Sequence, residues 1–552
     1  MKHIFTILLV LLVFSCSTDK AIKAPKLSEL PFMWENASVY FLLTDRFNNG
    51  DLSNDTPLNR KQDGGKLRSF MGGDIKGITR KIEEGYFDKL GINAIWLTPP
   101  IEQIHGSTDE GWGKTYAYHG YWARDWTSLD PNYGTMAEYK EMVDIAHEHG
   151  IRILMDVVLN HTGPVTDIDS QWPDDWVITS PQCTYEGYES TVSCTLVENL
   201  PDIRTNSNNA VEIPGFLADK WRNEKRLDME LEELNAFFER TGYPRAPKYY
   251  IIKWLIDYVR ELGIDGFRVD TAKHLEADIL AELYQEALIA LKEWKATNHD
   301  KKIDDLDFYM VGEVYGYGIQ GKLDYNYGDS VVNFFDHGFK GMINFSFKSD
   351  AAKSYEDIYG EYSEILNSDL SGLSVMNYIS SHDDDGPYDL NREKVFEAGT
   401  KLLLSPGAVQ IYYGDEIARP LTVEGTEGDA HLRSYMNWDE LEEDAERSGY
   451  KISEVLSHWQ KLGQFRKAHP AVGAGIHKMI SKQPYIFTRT LESQGLTDQV
   501  LVAIGKLKGP LKVSQVFSDG QQLKDYYSGS EYTVKNGSID VSLNEELILL
   551  GI

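Results

Sequence analysis

Short runs of β-branched and aromatic residues alternate along the chain with segments whose apolar residues recur every three or four positions. The short runs predict strands and the longer segments predict helices, and the helical pattern is clearest at 136–149, 248–262, 275–295 and 391–404. The predicted strands are Val39–Asp45, Ala94–Thr98, Arg152–Val158, Gly266–Asp270, Phe308–Val314, Val331–Asp336, Val375–Ser380 and Val409–Tyr413. Strands that alternate with helices pair in parallel, so this pattern predicts an α/β fold, a closed (β/α)8 TIM barrel.

Two regions interrupt this alternation. Residues 162–225, after the third predicted strand, are rich in Pro, Ser, Asn and Asp and show little helical periodicity. A segment of that length is too long for an ordinary loop, so we predict a domain inserted into the barrel. From residue 472 the helical patterns stop, and short strand-like runs between Gly and Asn turns predict an antiparallel β-sandwich domain over 472–552. The catalytic barrel is then expected over 34–161 and 226–471.

The N-terminus differs from the rest of the chain. Lys2 precedes an apolar run over 4–14 that is too short to cross a bilayer as a helix. The run leads into Ser15 and Cys16, which resembles a bacterial lipoprotein signal peptide of residues 1–15, cleaved before Cys16 with lipid then attached to the thiol. An ordinary secretory signal is the alternative. With 16–33 as a polar tether, we expect an exported bacterial lipoprotein, held to the outer membrane, cell surface or periplasmic face by its lipid alone.

Composition narrows the class of partner. Hydrophobic residues make up 42% of the chain and charged residues 26%, which is typical of a soluble globular protein. The chain has 55 Lys and Arg against 86 Asp and Glu, so its net charge is 55 − 86 = −31. Such acidity repels phosphate backbones, so no nucleic-acid partner is expected, whereas a neutral substrate and divalent cations are compatible with it. A solvated surface alone would also explain the charge.

Two further cysteines, Cys183 and Cys194, lie in a Ser-, Thr- and Gly-rich part of the predicted inserted domain. Export favours a disulfide between them, which could add about 3 kcal/mol by constraining the unfolded chain. Two free thiols are the alternative.

Candidate chemistry lies at the ends of the predicted strands, where the reactive groups of a TIM barrel are found. Strands four, five and seven lead to Asp270, Glu313 and Asp383, whose carboxylates should meet at one rim. Arg268 lies two residues before Asp270 and therefore points to the same face of the strand, where it could keep that carboxyl ionised. A single acid at a strand end is more often a cap or a surface group, but three together indicate a functional site.

Six short segments together resemble the α-amylase family, glycoside hydrolase family 13. In chain order they are YHGYW at 118–122, DVVLNH at 156–161, LPD at 200–202, GFRVDTAKH at 266–274, GEVYG at 312–316 and SSHD at 380–383. The similarity covers roughly residues 34–470 and, around 102–106, looks closest to bacterial periplasmic α-amylases. Any one segment would be weak evidence, whereas the ordered set is specific.

The resemblance implies a role for each matching residue. Asp270 would be the nucleophile, Glu313 the general acid and base, and Asp383 the group that stabilises the transition state. Glu313 would need a raised pKa, which nearby Asp270 and Asp383 would give it. The residues implied in substrate binding are Tyr121, His161, Arg268, Lys273 and His382.

These roles imply a retaining hydrolase of α-1,4-glucosidic bonds in starch, glycogen or maltodextrins. We expect an endo-acting α-amylase, which cleaves bonds in the interior of the glucan. A cyclomaltodextrinase, a neopullulanase, an α-glucosidase or a transglycosylase on the same scaffold is the first alternative. A non-catalytic glucan-binding barrel is the second, although such proteins usually lack one of the three acids. The sequence predicts no particular oligomeric state.

The resemblance also implies Ca²⁺ as a cofactor at two places. A site between the barrel and the inserted domain would use Asn160, Asp202 and the backbone carbonyl of His274. A second site resembles the N-terminal calcium site of cyclodextrin glucanotransferases, and its implied ligands are Asn49, Asp51, Asn54, Asp55, the Gly72 carbonyl and Asp74. An Asx-rich turn without metal is the alternative for this second segment.

Overall fold

The computed structural model describes residues 31–384, 386–493, 495–507, 509–541 and 546–552. The expected signal peptide 1–15, Cys16 and nearly all of the tether 16–33 lie outside these residues. Across the part that is described, no helix combines the length and the apolar character that a membrane span requires.

Parallel strands close into the predicted barrel, with each strand beside its neighbour in chain order and the last beside the first. The strands are β1 (Ser38–Leu42), β2 (Ala94–Leu97), β3 (Arg152–Val157), β4 (Gly266–Val269), β5 (Tyr309–Gly312), β6 (Gly341–Asn344), β7 (Ser374–Asn377) and β8 (Ala408–Tyr412). Every residue of these strands is buried, because helices cover the outside of the barrel and side chains fill its interior.

Helices surround the barrel. The four segments with the clearest helical pattern form Met136–Glu148, Pro247–Leu262, Ala277–Thr297 and Val395–Leu403. Other long helices are Ile75–Glu83, Gly215–Asn223, Leu227–Thr241, Tyr355–Leu366 and Ile452–Ala468. Short ones are Thr44–Phe47, Tyr86–Lys89, Glu189–Val192, Phe347–Asp350, Trp438–Glu442 and Ala471–Ala474. The helix predicted from residue 391 starts later because Arg392 has a φ of 55°, and a left-handed residue interrupts a helix.

The predicted sixth strand, Val331–Asp336, is wrong. Val331–Val332 belongs to a small hairpin in which Val331 is exposed, and Phe334–His337 is a 3-10 turn with two buried phenylalanines, so the apolar pattern does not mark a barrel strand. The sixth strand is Gly341–Asn344. It opens with glycine because a Cβ there would lie 2.4 Å from the Tyr309 hydroxyl. A short strand that begins with glycine gives little β signal in the sequence.

The inserted region after β3 is built around aromatic side chains. Val177–Ile178 and Asp202–Ile203 form its antiparallel strand pair. Trp172 and Trp176 are buried, and the Trp176 ring stacks 6.1 Å from that of Trp254 in a barrel helix. The inserted region is therefore packed against the barrel.

The loop after β2 forms two antiparallel ribbons at the C-terminal ends of the strands. Ile101–Gln103 pairs with Ala123–Leu129, and Thr108–Asp109 pairs with Lys114–Thr115. The second ribbon, the 108–115 hairpin, therefore lies at the mouth of the barrel.

The C-terminal region is antiparallel, as predicted. The strands of its larger sheet lie in the order Ile476–Lys482, Tyr485–Ser493, Leu496–Ile504, Leu547–Gly551, Gln522–Asp525 and Glu531–Thr533. Leu511–Lys512 pairs with Ser538–Ile539 in a smaller sheet. Buried side chains including Leu501, Phe517 and Leu550 give this region a core of its own.

Candidate active site

One buried arginine joins three carboxylates at the C-terminal ends of neighbouring strands. The side chain of Arg268 in β4 is 1% exposed, and its Nη1 lies 2.7 Å from Asp270 Oδ1 and 2.9 Å from Asp156 Oδ1. Its Nη2 lies 3.1 Å from Glu313 Oε2. The register of β4 and β5 brings the residues that follow them, Asp270 and Glu313, side by side. The guanidinium offsets the repulsion that would otherwise keep these acids apart.

Glu313 is held largely protonated at neutral pH. Burial raises the pKa of its carboxyl to about 8, Arg268 opposes the rise, and Asp270 and Asp383 add to it. The expected effect of the neighbouring acids is present, but burial contributes more. The backbone N–H of Thr271 donates to Glu313 Oε2 at 2.8 Å from a left-handed conformation with a φ of 47°. A β-branched residue rarely adopts this backbone conformation. The strained conformation of Thr271 directs its backbone N–H towards the Glu313 carboxyl.

Asp383, in the loop after β7, has the opposite charge state. Burial opposes its ionisation, but His382 and Arg433 outweigh that effect and hold the pKa of Asp383 well below its usual range. His382 Nε2 lies 3.0 Å from Asp383 Oδ2, and Arg433 Nη2 lies 2.6 Å from Oδ1. The Asp383 side chain is nevertheless 42% exposed, so it can reach a ligand. The site thus combines a neutral acid with an ionised one.

Tyr121, His161 and His382 lie beside these acids. The Tyr121 hydroxyl donates to Asp156 Oδ2 at 2.8 Å, and its ring stacks 5.3 Å from that of His382. His161 Nε2 lies 3.1 Å from the Tyr121 carbonyl, and its buried Nδ1 has no hydrogen-bond partner among the described residues. Burial lowers the pKa of both histidines, although Asp383 opposes the shift of His382. His161 is therefore neutral near pH 7 and suited to bond with a hydroxyl.

Lys273 lies next to Glu313 among aromatic rings. Its Nζ is 5.4 Å from the ring centre of Tyr185 and 5.9 Å from that of Tyr315. A cavity of about 340 Å³ opens between these residues and Glu313. This cavity, the Lys273 cavity, has space for a ligand group next to the Glu313 carboxyl.

Cys183 and Cys194 are joined in a disulfide. The loop that it closes carries Tyr185 and reaches the barrel through Thr191, whose carbonyl lies 2.8 Å from His274 Nδ1. The inserted region therefore contributes directly to the Lys273 cavity.

Asn160 and Asp202, two predicted calcium ligands, are in contact. Asn160 Nδ2 donates to Asp202 Oδ1 at 2.6 Å, while Asn160 Oδ1 is buried without a hydrogen-bond partner in the described part of the chain. Burial raises the pKa of Asp202 to about 9 despite the Asn160 hydrogen bond, and Glu276 adds to the rise. The third predicted ligand, the His274 carbonyl, belongs to the 3-10 turn after β4. Buried oxygens that no cation among the described residues contacts fit a hard metal ion.

The predicted ligands near the N-terminus also lie together. A Cβ on Gly72 would lie 2.4 Å from Asn49 Nδ2 and 2.6 Å from Asp55 Oδ1, so only glycine fits between these side chains. Asn54 Nδ2 lies 3.4 Å from Asp74 Oδ2. The Oδ1 atoms of Asn49 and Asn54 are buried and lack hydrogen-bond partners among the described residues.

Asp51 and Asp74 have other partners in this second group. Asp51 Oδ2 lies 2.7 Å from Lys76 Nζ, and Asp74 Oδ1 accepts from the backbone N–H of Gly77 at 2.6 Å. Over the described ranges, no group of three or more His, Cys, Asp or Glu is arranged to hold a metal. Both candidate sites therefore depend on amide and backbone oxygens as well as carboxylates.

Arg433 is a site residue that sequence reasoning missed. Its Nη2 contacts Asp383 and also lies 2.7 Å from Asp429 Oδ2. The local signal was the spacing of four between Asp429 and Arg433 in the loop after β8. That spacing is typical of a solvated helical surface, so nothing in it pointed to Asp383, which is 50 positions away in the chain.

A (β/α)8 barrel with a glutamic acid of raised pKa beside a cation-paired aspartate at its C-terminal rim is compatible with a glycoside hydrolase. The family model described as alpha amylase, catalytic domain, matches residues 41–475. The chain therefore belongs to the α-amylase family.

Individual relatives agree with this placement. The chain is 38% identical over 519 residues to the periplasmic alpha-amylase of Escherichia coli (strain K12), covering 83% of this chain and 71% of that protein. It is 27% identical over 456 residues to a cyclomaltodextrin glucanotransferase of Bacillus sp. (strain 1011), covering 79% of this chain and 55% of that protein. A solved Anoxybacillus alpha-amylase is similar in fold, with a TM-score of 0.64, 21% identity and coverage of 94% and 99% of the two chains.

Proposed function

We propose that the protein is a retaining, endo-acting hydrolase of α-1,4-glucosidic bonds in starch, glycogen or maltodextrins. The observation that carries this proposal is the contact of one guanidinium, Arg268, with both Asp270 and Glu313. A retaining glycosidase needs its two carboxyl groups close together, about 5–5.5 Å apart, without room for a water between them. The raised pKa of Glu313 supports its assignment as the proton donor.

The proposed reaction involves the two acids, the glucan and one water, and each step conserves atoms and charge. Asp270 attacks the anomeric carbon as the bond to the leaving oxygen breaks, and Glu313 gives that oxygen its proton. This forms a glycosyl ester on Asp270 and releases a shortened glucan. A water then attacks the same carbon, Glu313 takes up its proton, and Asp270 departs as a carboxylate. Both acids return to their starting states.

Asp383 is proposed to bind the ring that is being cleaved. Held ionised by His382 and Arg433, it would accept hydrogen bonds from ring hydroxyls and stabilise the positive charge that develops in the transition state. The Tyr121 ring would pack on the apolar face of the sugar, and Lys273 would bind the departing part of the glucan. The residues proposed to bind substrate are Tyr121, His161, Arg268, Lys273 and His382.

A transglycosylase or a cyclomaltodextrinase-type enzyme is the second candidate. It is favoured by the cyclomaltodextrin glucanotransferase relatives at 25–27% identity. The rings of Tyr185 and Tyr315 beside Lys273 also offer a place where an acceptor sugar could replace water.

Product time courses on amylose, pullulan and cyclodextrin separate these candidates. An endo-acting hydrolase should shorten amylose rapidly while few reducing ends form. Faster opening of cyclodextrin than of amylose would favour the cyclomaltodextrinase assignment, and products longer than the substrate would favour transfer. No release of chromophore from a chromogenic maltooligosaccharide would contradict the enzyme assignments and leave a glucan-binding barrel.

We further propose Ca²⁺ as a structural cofactor at both candidate sites. Asn160, Asp202 and the His274 carbonyl would hold one ion. The other would be held by Asn49, Asp51, Asn54, Asp55, the Gly72 carbonyl and Asp74. The Oδ1 atoms of three asparagines are buried without a hydrogen-bond partner in the part of the chain that the structure describes, and this supports the assignment. A bound calcium would coordinate these oxygens and, at the first site, fasten the inserted region to the barrel.

We propose export and attachment of lipid to Cys16. The apolar segment before Ser15 and Cys16 supports this, and the relative from Escherichia coli is a periplasmic protein by name. Palmitate labelling of the full chain should be lost in Cys16→Ala. Labelling that persists in this variant would contradict acylation at that thiol, and labelling absent from both chains would favour the ordinary secretory signal.

A further inference from the structure

The chain enters the barrel at the end opposite to the acids. Residues 32–36 directly precede β1. The rings of Trp34 and Tyr309 are stacked with their centres 3.9 Å apart, and Tyr309 is the first residue of β5, which lies across the closed barrel from β1. The Arg152 Cζ atom, from the first residue of β3, lies 3.5 Å from the centre of the Phe32 ring. Residues 32–36 therefore lie across the N-terminal ends of the barrel strands.

Packing fixes the position of this entry segment. Asn36 is 5% exposed, its Nδ2 donates to the Arg466 carbonyl at 2.8 Å, and its Oδ1 accepts from the backbone N–H of Gly473 at 2.8 Å. A Cβ on Gly473 would lie 2.6 Å from the Asn36 Cα, so the two backbones are in close contact. Both partners belong to helices that follow the last barrel strand. The point at which the predicted tether joins the body is therefore set by contacts within the body.

The acids lie at the other end of the same strands. Glu313 comes four residues after Tyr309, which corresponds to about 13 Å along β5. Asp270 and Asp383 likewise follow the C-terminal ends of β4 and β7. The tether therefore joins one end of the barrel, and the mouth with its acid site opens at the opposite end.

The number of residues before the entry segment limits how an anchored body can turn. Fifteen residues, 17–31, separate Cys16 from Phe32. Covalent geometry limits the distance between these two residues to about 55 Å, whatever conformation the chain between them adopts. A compact body of about 520 residues has a radius of gyration of about 24 Å and is about 60 Å across, so the path around it from end to end is about 95 Å. A lipid on Cys16 can therefore enter a bilayer at the N-terminal end of the barrel but not one that lies against the mouth.

We propose that the lipid on Cys16 holds the protein with the N-terminal end of its barrel toward a lipid surface, so that the acid site opens away from the membrane. This proposal rests on the proposed attachment of lipid to Cys16 and adds the direction in which the attached enzyme faces. Because the mouth is then unobstructed, a polymeric α-glucan that is too large to pass between the body and the bilayer reaches the acids as readily as a short oligosaccharide.

The test compares how far two labelled positions lie from the bilayer. Leu306→Cys carries a dye in the segment that leads into β5, at the N-terminal end, and Ile168→Cys carries one in the inserted region, at the mouth. These side chains are 40% and 68% exposed. The acylated protein is placed in phosphatidylcholine vesicles that contain rhodamine-labelled lipid. Energy transfer to this lipid should be at least about threefold more efficient from Leu306→Cys, because the body between the two dyes is about 60 Å across. Equal transfer, or more transfer from Ile168→Cys, would overturn the proposed orientation.

Two controls show whether the anchor and its length set this orientation. Cys16→Ala removes the anchor, so neither dye should transfer energy to the vesicles. Lengthening the tether by about 30 Gly and Ser residues gives it enough reach to pass around the body, so the difference between the two dyes should shrink. An unchanged difference would overturn the role given to the length of the tether. A wild-type chain that does not bind vesicles would refute both the lipid attachment and this orientation, but not the proposed hydrolysis of α-glucans.

Activity provides a second readout on the same acylated protein. The ratio of kcat/KM on amylopectin to kcat/KM on maltoheptaose should be equal in vesicles and in detergent micelles, because the bilayer leaves the mouth open. A many-fold lower ratio in vesicles would show that the bilayer obstructs the large substrate and would overturn the proposal. Failure to cleave either substrate in both preparations would instead refute the proposed function, while energy transfer would still decide the orientation.

Discussion

Two polar regions at the mouth of the barrel differ in the partners of their buried oxygen atoms. Around Asp270, Glu313 and Asp383 the chain supplies its own cations, since Arg268 and Arg433 contact the carboxylates directly. Around the candidate calcium ligands, amide oxygens are buried and no hydrogen bond from the described residues reaches them. The first region is therefore balanced by cations of the chain itself, whereas the second keeps three buried amide oxygens that no described residue hydrogen-bonds.

This difference indicates that the first region is suited to proton transfer and the second to cation binding. Internal arginines fix the charge states of the acids, so one carboxyl stays protonated while another stays ionised, which general acid chemistry requires. Oxygens without an internal partner give no proton chemistry but offer binding energy to an external cation. We therefore expect changes in the first region to alter activity and changes in the second to alter stability.

The largest effect is expected from Glu313→Gln or Asp270→Asn. Each removes one of the two groups that break the bond, so kcat on maltoheptaose should fall by at least about a thousandfold while the melting temperature stays close to that of the wild type. Glu356→Gln is a matched control, because Glu356 also accepts hydrogen bonds but from Tyr485 at the C-terminal domain. Near-normal turnover in either site variant would contradict the assignment of catalysis to the acid region.

The pH profile should show the protonated state of Glu313. Its pKa is about 8, so the proton needed by the leaving oxygen is present below that pH and is lost as pH rises through it. We expect kcat/KM on a neutral maltooligosaccharide to fall about tenfold per pH unit above that point. A profile that stays level up to pH 10 would show that burial does not hold this proton.

Removing calcium should lower stability. A ligand present at a hundred times its Kd stabilises the folded state by about 2.7 kcal/mol, so excess chelator should lower the melting temperature of the full chain by several degrees. Added Ca²⁺ should restore the melt more fully than Mg²⁺, which fits large irregular oxygen sites poorly. An identical melt with and without chelator would refute both calcium assignments.

The smallest effect is expected from Gly72→Ala, which probes the N-terminal calcium site alone. The added Cβ meets Asn49 and Asp55, and the φ of 88° strains any residue other than glycine, so a loss of about 1–3 kcal/mol is expected. Gly372→Ala is the control, since Gly372 has a φ of 78° but open space around its Cα. If Gly72→Ala loses more stability than Gly372→Ala and the difference disappears in chelator, the crowding acts on the calcium site. Equal losses of stability in both variants would argue against an effect on that site.

Local pattern predicted most of the barrel but failed where local signals conflict with packing. β4 and β5 are short apolar runs followed at once by Asp270 and Glu313, so their positions could be predicted from the chain. β6 could not, because Gly341 carries no β preference and the stronger apolar run at 331–336 forms a hairpin strand and a 3-10 turn outside the barrel. In that case tertiary contact with Tyr309 overrode intrinsic preference.

The site divides in the same way. Arg268 was predicted because its partner Asp270 lies two residues away and shares its face of the strand. Arg433 was missed because the residue that gives it a role, Asp383, is remote in the chain. A motif records only what is near in sequence, whereas an ion pair or a groove depends on what is near in space.

The amino-acid sequence by itself determined the alternation of strands and helices, the inserted and C-terminal regions, and the order in which the acids meet the rim. These follow from side-chain periodicity, which is a property of the local chain. Only the tertiary structure decided that burial is the main cause of the raised pKa of Glu313 and that Arg433 helps to keep Asp383 ionised. Burial and charge interaction depend on distance and on exclusion of water, and neither exists until distant segments are packed together.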